Sequence, residues 1–417
     1  MQTGFPIEEV RSKFPALGRT DGQKPIIYFD GPGGTQMVDD AMNEMVRYIQ
    51  SGMANLHGTF PTSMDTEETI AESRRAAADF LGCKENEIAF GPNMTTLAFS
   101  VARGLGHFIE KGDEIIVTEL DHRANVDPWL TMAKDCGATV KFIPLDKESC
   151  TLRLDQFDEL VTPKTKIVAV GMSSNVTGTV TDIAAVTAKA KRAGALVIVD
   201  AVHAAPHLPI DFERMQADIL FCSGYKFFGP HIGIAAVRED LFEKLPVYKL
   251  QPAPGDIPYK LETGTQNHEA IAGLLGAISF VEQLGEGATR RERLISGMER
   301  IDRYESLLAA ELEEFLLGLE GIRLFRAPAG TTRTPTFAFT LKGHDSRAVT
   351  QWFAENHNMC IADGDFYAST MAAKYGVHDQ GGWIRIGLAP YNTVDEIQQF
   401  KSVMETYLEL QPAEIKL

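Results

Sequence analysis

The sequence lacks an excess of positive charge. Its 417 residues include 40 Lys and Arg against 57 Asp and Glu, which gives a formal net charge of -17 at pH 7. Nucleic acids and anionic membranes attract proteins mainly through positive surface charge. We therefore expect neither of these partners for this chain.

Cysteine is scarce, and long apolar runs are missing. No two of the five cysteines form a CxxC pair, which argues against a disulfide framework and against a structural zinc site. No apolar run approaches the ~20 residues that cross a membrane. Residues 1–10 have neither the basic region nor the apolar core of a secretory signal. These absences favour the reducing cytoplasm and a protein without a bound metal.

Between about residues 65 and 240, short β-branched runs alternate with amphipathic helical stretches. This alternation is typical of a parallel sheet that is covered by helices on both faces. The sequence therefore predicts an α/β fold for this part of the chain. The clearest predicted strands are 114–118, 139–145, 166–171, 195–200 and 218–223.

A proline-rich break at 252–258 separates this region from the rest of the chain. After the break the apolar spacing predicts long helices at 270–281 and 290–317. Strands are then predicted at 336–341 and 383–388, and helices at 346–355 and 394–410. A chain of this length usually forms more than one domain, so we expect a second, smaller α+β domain.

Polar residues follow four of the predicted strands. Asp200, Lys226, Asn175 and His122 each come at or just after the end of an apolar run. Ligands of open α/β sheets bind outside the carboxyl ends of the strands, so these side chains are expected to converge. Taken singly, each is more commonly a helix cap, a turn former or a surface residue.

An acid and a lysine at neighbouring strand ends suggest a specific cofactor. Pyridoxal 5′-phosphate (PLP) forms a Schiff base with a lysine, and an acid on its ring nitrogen makes the ring an electron sink. Lys226 and Asp200 supply both groups. Residues 91–96 precede a helix and could bind the phosphate through backbone N–H groups, although an ordinary helix cap explains them as well. Ser223 and Tyr225 offer further hydroxyls beside the lysine.

Arg385 interrupts the apolar run 383–388. A guanidinium in such a strand requires an anionic partner or an outward-facing position. A substrate carboxylate would be a suitable bidentate partner. A structural pair with an Asp or Glu is an equally good explanation from the sequence alone.

Taken together, several segments resemble the class V aminotransferase group of fold-type I PLP enzymes, and most closely the cysteine desulfurases and selenocysteine lyases. The resemblance runs from about residue 27 to the C-terminus, and the order and spacing of its motifs are specific. These motifs are YFDGPGGT at 28–35, NLH at 55–57, ELDH at 119–122, SNVTGT at 174–179, VDAVH at 199–203, SGYK at 223–226, GT at 264–265 and RIGLAPYNT at 385–393.

The resemblance implies an architecture and an assembly. We expect a large PLP-binding domain at 26–270 with a mainly parallel seven-stranded sheet, and a smaller α+β domain at 271–417. An N-terminal segment, 1–25, should join the smaller domain. The resemblance also implies a homodimer in which Thr265 reaches the cofactor phosphate of the neighbouring subunit.

The resemblance also implies roles for individual residues. Lys226 forms the imine with the cofactor, Asp200 holds the pyridine nitrogen, and His122 stacks on the ring. The remaining implied cofactor contacts are Met94, Thr95, Asn175, His203, Ser223, Tyr225 and Thr265. The implied substrate contacts are Gly33, Asn55, His57, Asn175, Tyr367 and Arg385.

Three departures from the desulfurase pattern bear on the reaction. His203 stands where relatives usually have glutamine, and Tyr225 replaces the histidine before the lysine. Tyr367 occupies the position of the sulfur-accepting cysteine, and a tyrosine cannot carry a persulfide. The nearest thiol, Cys360, lies in an apolar run and is better explained as a small buried hydrophobe.

The sequence therefore predicts an enzyme that acts on an α-amino acid. Cleavage of a carbon–sulfur or carbon–selenium bond without a cysteine relay is the leading hypothesis. Transamination and epimerisation need the same residues and stay open, as does the docking of a sulfur-acceptor protein. A regulatory protein that binds PLP and an amino acid without catalysis is a further alternative.

Overall fold

Helices and strands alternate along residues 4–22 and 24–410, which are the residues that the computed structural model describes. The strands are β1 Thr20–Asp21, β2 Lys24–Pro25, β3 Ile27–Tyr28, β4 Ile88–Gly91, β5 Glu114–Thr118, β6 Thr139–Ile143, β7 Leu145–Asp146, β8 Thr151–Leu152, β9 Thr165–Gly171, β10 Leu196–Asp200, β11 Ile219–Ser223, β12 Gly233–Val237, β13 Ile322–Phe325, β14 Thr336–Leu341, β15 Met359–Cys360, β16 Ala362–Gly364 and β17 Trp383–Gly387. The helices are α1 Ile7–Ser12, α2 Asp39–Ser51, α3 Pro61–Leu81, α4 Met94–Leu105, α5 Asp127–Cys136, α6 Leu154–Leu160, α7 Ile183–Arg192, α8 Phe212–Met215, α9 Glu239–Lys244, α10 His268–Gln283, α11 Arg290–Gly318, α12 Ser346–His357, α13 Ser369–Tyr375 and α14 Val394–Leu410.

The central sheet has seven strands in the order β4-β12-β11-β10-β9-β5-β6. Strands β6, β5, β9, β10 and β11 are parallel to one another, whereas β12 is antiparallel to both of its neighbours. The α/β prediction with a mainly parallel seven-stranded sheet is therefore confirmed. Because parallel strands share one direction, β5, β9, β10 and β11 end at the same edge of the sheet.

Helices cover both faces of this sheet. Ile115 and Val117 of β5 belong to the same apolar cluster as Trp129 of α5, whereas Ile116 belongs to the cluster that contains Val186 of α7. Successive side chains of a strand point to opposite faces, so a strand buried on both faces needs a continuous apolar run. This requirement explains the uninterrupted β-branched runs in the sequence.

A second, four-stranded sheet follows in the chain. It has the antiparallel order β13-β14-β17-β16. The two sheets lie on either side of residue 271 in the sequence, where we predict the domain boundary. The division into 1–25, 26–270 and 271–417 stays a prediction, and residues 1–3, 23 and 411–417 of it lie outside the described residues.

One predicted strand is wrong in its extent. The run 139–145 does not form a single strand, because β6 ends at Ile143 and β7 begins only at Leu145. Pro144 separates them, and proline has no N–H to donate to a strand ladder. Strand β7 instead pairs with β8 in a separate two-stranded ladder.

Residues 27–30 lie beside the second sheet. Strand β3 pairs in parallel with β15, and Asp30 forms a β-bridge with Gly387 at the end of β17. These contacts bring Asp30 close to Arg385, which β17 also carries. No helix among the described residues combines the length and the apolar character needed to cross a membrane.

Candidate active site

A cavity of about 480 Å³ lies at the carboxyl edge of the central sheet. Its wall consists of residues at or after the ends of β5, β9, β10 and β11, residues 32–33 and 93–95, and, from the second sheet and the loop after β16, residues 363–367 and Arg385. The sequence-predicted residues that it brings together are Gly33, Met94, Thr95, His122, Asn175, Asp200, His203, Ser223, Tyr225, Lys226, Tyr367 and Arg385.

Lys226 lies in a single 3-10 turn directly after β11. Its Nζ donates a hydrogen bond to the carbonyl oxygen of Pro32 and lies 4.8 Å from the centre of the Tyr225 ring. Burial, assisted by the positive charge of Arg385, lowers the pKa of this amine to about 8. The neutral amine is the form that attacks an aldehyde, and the lowered pKa makes this form more abundant at neutral pH.

Asp200 is the last residue of β10. Its Oδ1 accepts a hydrogen bond from the Val202 backbone N–H at 2.9 Å. Burial raises the pKa of Asp200 to about 6, while that hydrogen bond and the Lys226 amine act in the opposite direction. A cationic group in the cavity would stabilise the ionised form of this acid.

The first turn of α4 lies at the cavity. Asn93 caps this helix, because its Oδ1 accepts a hydrogen bond from the Thr96 N–H at 2.8 Å. Met94 and Thr95, in the same turn, line the cavity. The cap interpretation is confirmed for Asn93, which lines the cavity together with Met94 and Thr95, and the binding of a phosphate by this segment stays a prediction. The positive end of the helix dipole favours an anion here.

His122 and its neighbour Asp121 form the wall beyond β5. The ring of His122 lies 5.3 Å from that of Tyr367, and its Nδ1 accepts a hydrogen bond from the Ala124 N–H. Burial, followed by the charge of Lys226, lowers the pKa of His122 to about 4, so the ring is neutral at pH 7. Asp121 accepts hydrogen bonds from the Gly171 N–H and the Asn125 amide, and burial raises its pKa to about 7.

Arg385 is buried, so the outward-facing position considered for it is wrong. Its Nη2 donates to Asp30 Oδ1 at 2.8 Å, and its Nη1 donates to the Asn175 carbonyl oxygen at 3.0 Å. The ring of Phe366 lies 3.7 Å from the guanidinium carbon. The structural ion pair is therefore present, and it uses only part of the guanidinium.

His203 is also buried in the cavity wall. Its Nε2 lies 3.0 Å and 3.1 Å from the hydroxyl oxygens of Thr334 and Thr336. Burial lowers the pKa of His203 well below its ordinary value, with the neighbouring His207 as the next cause. The imidazole is thus a neutral, fixed hydrogen-bonding group.

Three predicted residues lie outside the cavity. Asn55 and His57 are exposed in the loop between α2 and α3, and Thr265 is exposed just before α10. The start of α10 contacts α2, because His268 Nδ1 lies 3.3 Å from the Tyr48 hydroxyl. The three residues therefore lie in one surface region, outside the cavity.

Two of the residues that sequence analysis missed surround the guanidinium of Arg385. Asp30 pairs with Arg385, and Phe366 covers it. Asp30 could have been noticed as a carboxylate at the end of the apolar run 26–29. No comparable pattern marks Phe366, because its position depends on a loop.

The thiols lie elsewhere. None of the five cysteines is among the residues that line the cavity. Cys360 is half-buried, and burial together with the charge of Asp30 raises the pKa of its thiol. Within residues 4–22 and 24–410, no group of three or more His, Cys, Asp or Glu side chains is arranged to hold a metal ion.

The wall suits a cofactor with an aldehyde, a basic ring nitrogen and a phosphate. It presents an amine of lowered pKa, an acid, and a helix N-terminus with hydroxyls beside it. Two atoms of the wall, Ser173 Oγ and Asn175 Oδ1, are buried without a hydrogen-bond partner among the described residues. Buried polar atoms normally have partners, so these two fit a ligand with polar substituents.

Comparisons with known proteins agree with this chemistry. The family model described as aminotransferase class-V matches residues 27–400. A cysteine desulfurase from Yersinia pseudotuberculosis serotype IB (strain PB1/+) is 30% identical over 411 residues, covering 95% of this chain and 96% of that protein. The structure of a cysteine desulfurase from Thermococcus onnurineus NA1 has a TM-score of 0.87 and 27% identity, covering 97% of this chain and 98% of that one. For a cysteine desulfurase from Escherichia coli the TM-score is 0.84 at 26% identity, with 97% and 99% covered.

Proposed function

The chain belongs to the aminotransferase class-V family and is a PLP-dependent enzyme, and we propose that it cleaves the carbon–sulfur or carbon–selenium bond of an α-amino acid. The observation that carries the proposal is the shared cavity of Lys226 and Asp200, with an amine of lowered pKa and an acid of raised pKa. The full-length similarity to cysteine desulfurases supports this reaction.

Each group in the cavity has a proposed task. Bound PLP supplies an aldehyde that condenses with amines and a ring that withdraws electrons from the α-carbon. Lys226 would hold the aldehyde and, once its amine is free again, accept the α-proton on Nζ, and the Asp200 carboxylate would accept a hydrogen bond from the protonated ring nitrogen. His122 would stack on the ring. The remaining cofactor contacts proposed within this subunit are Met94, Thr95, Asn175, His203, Ser223 and Tyr225.

The substrate contacts proposed within the cavity are Gly33, Asn175, Tyr367 and Arg385. The neutral amine of Lys226 is suited to accept a proton, because its pKa of about 8 lies close to neutral pH. The guanidinium of Arg385 carries unused donors for a carboxylate.

The absence of a thiol in the cavity wall supports cleavage without a protein persulfide. Tyr367 stands at the cavity where a sulfur-accepting cysteine is expected, and Cys360 is not part of the wall. Elimination then releases sulfide or selenide, and one water hydrolyses the remaining enamine to pyruvate and ammonia. Alanine appears instead where an external reduced thiol takes the sulfur.

One experiment tests the proposal. The pure holoenzyme is incubated with a panel of α-amino acids, including L-cysteine and L-selenocysteine, while sulfide or selenide, pyruvate, alanine, keto acids and loss of chirality are followed. We expect sulfide or selenide release that Lys226→Ala abolishes. Turnover that persists in Lys226→Ala would remove the lysine from the mechanism.

Transamination or epimerisation is the second candidate, and the same missing thiol favours it. Keto acid formation or racemisation without sulfide release would identify these reactions in the same panel. A silent binding protein would show a change of the visible spectrum and no product. The retention of Lys226, Asp200, His122 and Arg385 in one cavity argues against it.

We also propose that the enzyme is a cytoplasmic homodimer. The surface around the loop between α2 and α3 exposes large apolar side chains, and contiguous exposed apolar surface is typical of an interface. Asn55, His57 and Thr265 lie in that region, where they would reach the neighbouring subunit's site. Free cysteines fit a reducing compartment. The exposed apolar side chains are Val46, Ile49, Met53, Phe60 and Met64.

A further inference from the structure

Phe366 covers the guanidinium of Arg385. The centre of its ring lies 3.7 Å from the guanidinium carbon, and the Arg385 side chain is only 4% exposed. Both residues belong to the cavity wall. The guanidinium therefore offers little surface to a carboxylate in the cavity while Phe366 keeps this position.

The covered guanidinium still has unused donors. Of its five N–H groups, one on Nη2 is bonded to Asp30 and one on Nη1 to the Asn175 carbonyl oxygen. Nε is buried and has no hydrogen-bond partner among the described residues. A buried donor without a partner costs free energy, which an incoming carboxylate would recover.

The backbone of Phe366 binds a second side chain of the same site, that of Asn175. Its carbonyl oxygen accepts a hydrogen bond of 2.9 Å from Nδ2 of Asn175, whose Oδ1 is buried without a partner in the described part of the chain. Asn175 and Arg385 are both among the proposed substrate contacts, and we place the substrate carboxylate between them. The ring and the carbonyl of one residue thus occupy both of them.

The segment that carries Phe366 has an unfavourable backbone. Phe366 and Tyr367 have φ values of 52° and 58°, in the left-handed region that non-glycine residues rarely adopt. Gly364, at a φ of 126°, precedes them. Strain of this kind persists only where surrounding contacts hold it, and it makes departure of the segment less costly.

We propose that Phe366 is a positioning residue of the substrate-carboxylate site, which covers Arg385 and engages Asn175 until the α-carboxylate of a substrate displaces it. The inference rests on the proposed function, because it assigns a substrate group to the same cavity. An amine without a carboxylate does not displace Phe366, and such a ligand gains no binding free energy from Arg385. Only molecules in which Phe366 has moved away bind a carboxylate at Arg385. The apparent affinity for a carboxylate ligand is therefore the intrinsic affinity multiplied by the fraction of such molecules.

The test compares two ligands that differ only in the carboxylate. L-Alanine and ethylamine are titrated into the holoenzyme, and the change in visible absorbance of the bound cofactor gives each Kd. The proteins are the wild type, Phe366→Ala and Phe366→Leu. Phe108→Ala, which alters an exposed aromatic residue outside the cavity, is the matched control.

We expect Phe366→Ala to bind L-alanine about fivefold more tightly than the wild type, while the Kd for ethylamine stays within about twofold. Phe366→Leu keeps most of the side-chain volume but not the flat ring. Its Kd for L-alanine should therefore lie between those of the wild type and Phe366→Ala. Equal changes for both ligands, or none for L-alanine, would overturn the inference alone. A wild-type cofactor spectrum that responds to neither ligand would overturn the proposed function together with it.

Discussion

Burial sets the protonation of the two central residues of the cavity. The pKa of Lys226 is lowered and the pKa of Asp200 is raised, in both cases mainly because the cavity wall separates the group from bulk water. Opposite shifts of an acid and a base bring both pKa values closer to neutral pH, but at pH 7 most of Lys226 is still protonated and most of Asp200 is still ionised. A cationic ring nitrogen would stabilise the ionised form of Asp200 further.

Asp200 should make the apoprotein less stable as the pH rises. Its folded pKa of about 6 lies above the ordinary value of 3.8, so its contribution to stability is complete below pH 3.8 and is lost as the pH rises through 6. The loss amounts to about 3 kcal/mol. Denaturant unfolding of the apoprotein between pH 4 and 7 should therefore show a flatter pH dependence in Asp200→Asn. Asp135→Asn, at an exposed position, is the control, and equal slopes in all three proteins would refute the burial argument.

Cys360 should be dispensable. Its thiol is half-buried, its pKa is raised, and the cavity wall does not include it. Cys360→Ala is therefore expected to keep wild-type turnover within about twofold, because the thiolate and not the thiol is the nucleophile. Turnover is followed by sulfide release. A persulfide trapped on Cys360 in the wild type, lost in the variant together with activity, would show that a relay exists.

At the scale of elements, the proposed phosphate site depends on close packing of β12 against α4. A Cβ added at Gly233 would lie 2.3 Å from the carbonyl carbon of Asn93 and 2.6 Å from the Met94 nitrogen. Both contacts are with backbone, so a rotamer change cannot relieve them. Glycine is thus required where the strand passes the N-terminal turn of the helix.

Gly233→Ala should displace the first turn of α4 and weaken cofactor binding at least about tenfold, which corresponds to ~1.4 kcal/mol. The measurement is the Kd for PLP from absorbance or quenching titration of the apoprotein. Gly318→Ala is the matched control, because a Cβ there meets no atom within 4 Å. Unchanged PLP affinity in Gly233→Ala would show that this turn does not bind the phosphate.

The elements differ in how far their sequence specifies them. The strands of the central sheet are readable because burial on both faces demands continuous apolar runs, and the polar residues at their ends could be assigned to one edge. The apolar pattern alone predicts one strand over 139–145, but Pro144 divides this run into β6 and β7. The Asp30–Arg385 pair and the Phe366 cover were not predictable, because 355 residues separate the pair and a loop conformation sets the cover.

At the scale of the whole molecule, the face formed by α2, α3 and the loop between them is the main candidate for subunit contact. Ile49, Met53 and Phe60 are each at least 50% exposed there. Large apolar side chains grouped on one face favour association. The three predicted site residues missing from the cavity lie in the same region.

A charge on this face should separate the subunits. Met53→Glu is expected to shift the protein from dimer to monomer in size-exclusion chromatography with light scattering, because a carboxylate cannot be buried unpaired at an interface. Retained PLP should fall with it, since Thr265 is proposed to bind the neighbouring subunit's phosphate. Leu307→Glu, at an exposed apolar position of α11, is the control. A monomeric wild type with full PLP occupancy would contradict the proposed assembly.

The most direct test of the proposed chemistry locates the cofactor. The holoenzyme is treated with borohydride, which converts an imine to a stable secondary amine, and the digested protein is mapped by mass spectrometry. We predict a single phosphopyridoxyl adduct on the peptide that contains Lys226. Absence of an adduct, or an adduct on another lysine with Lys226 unmodified, would contradict the assignment.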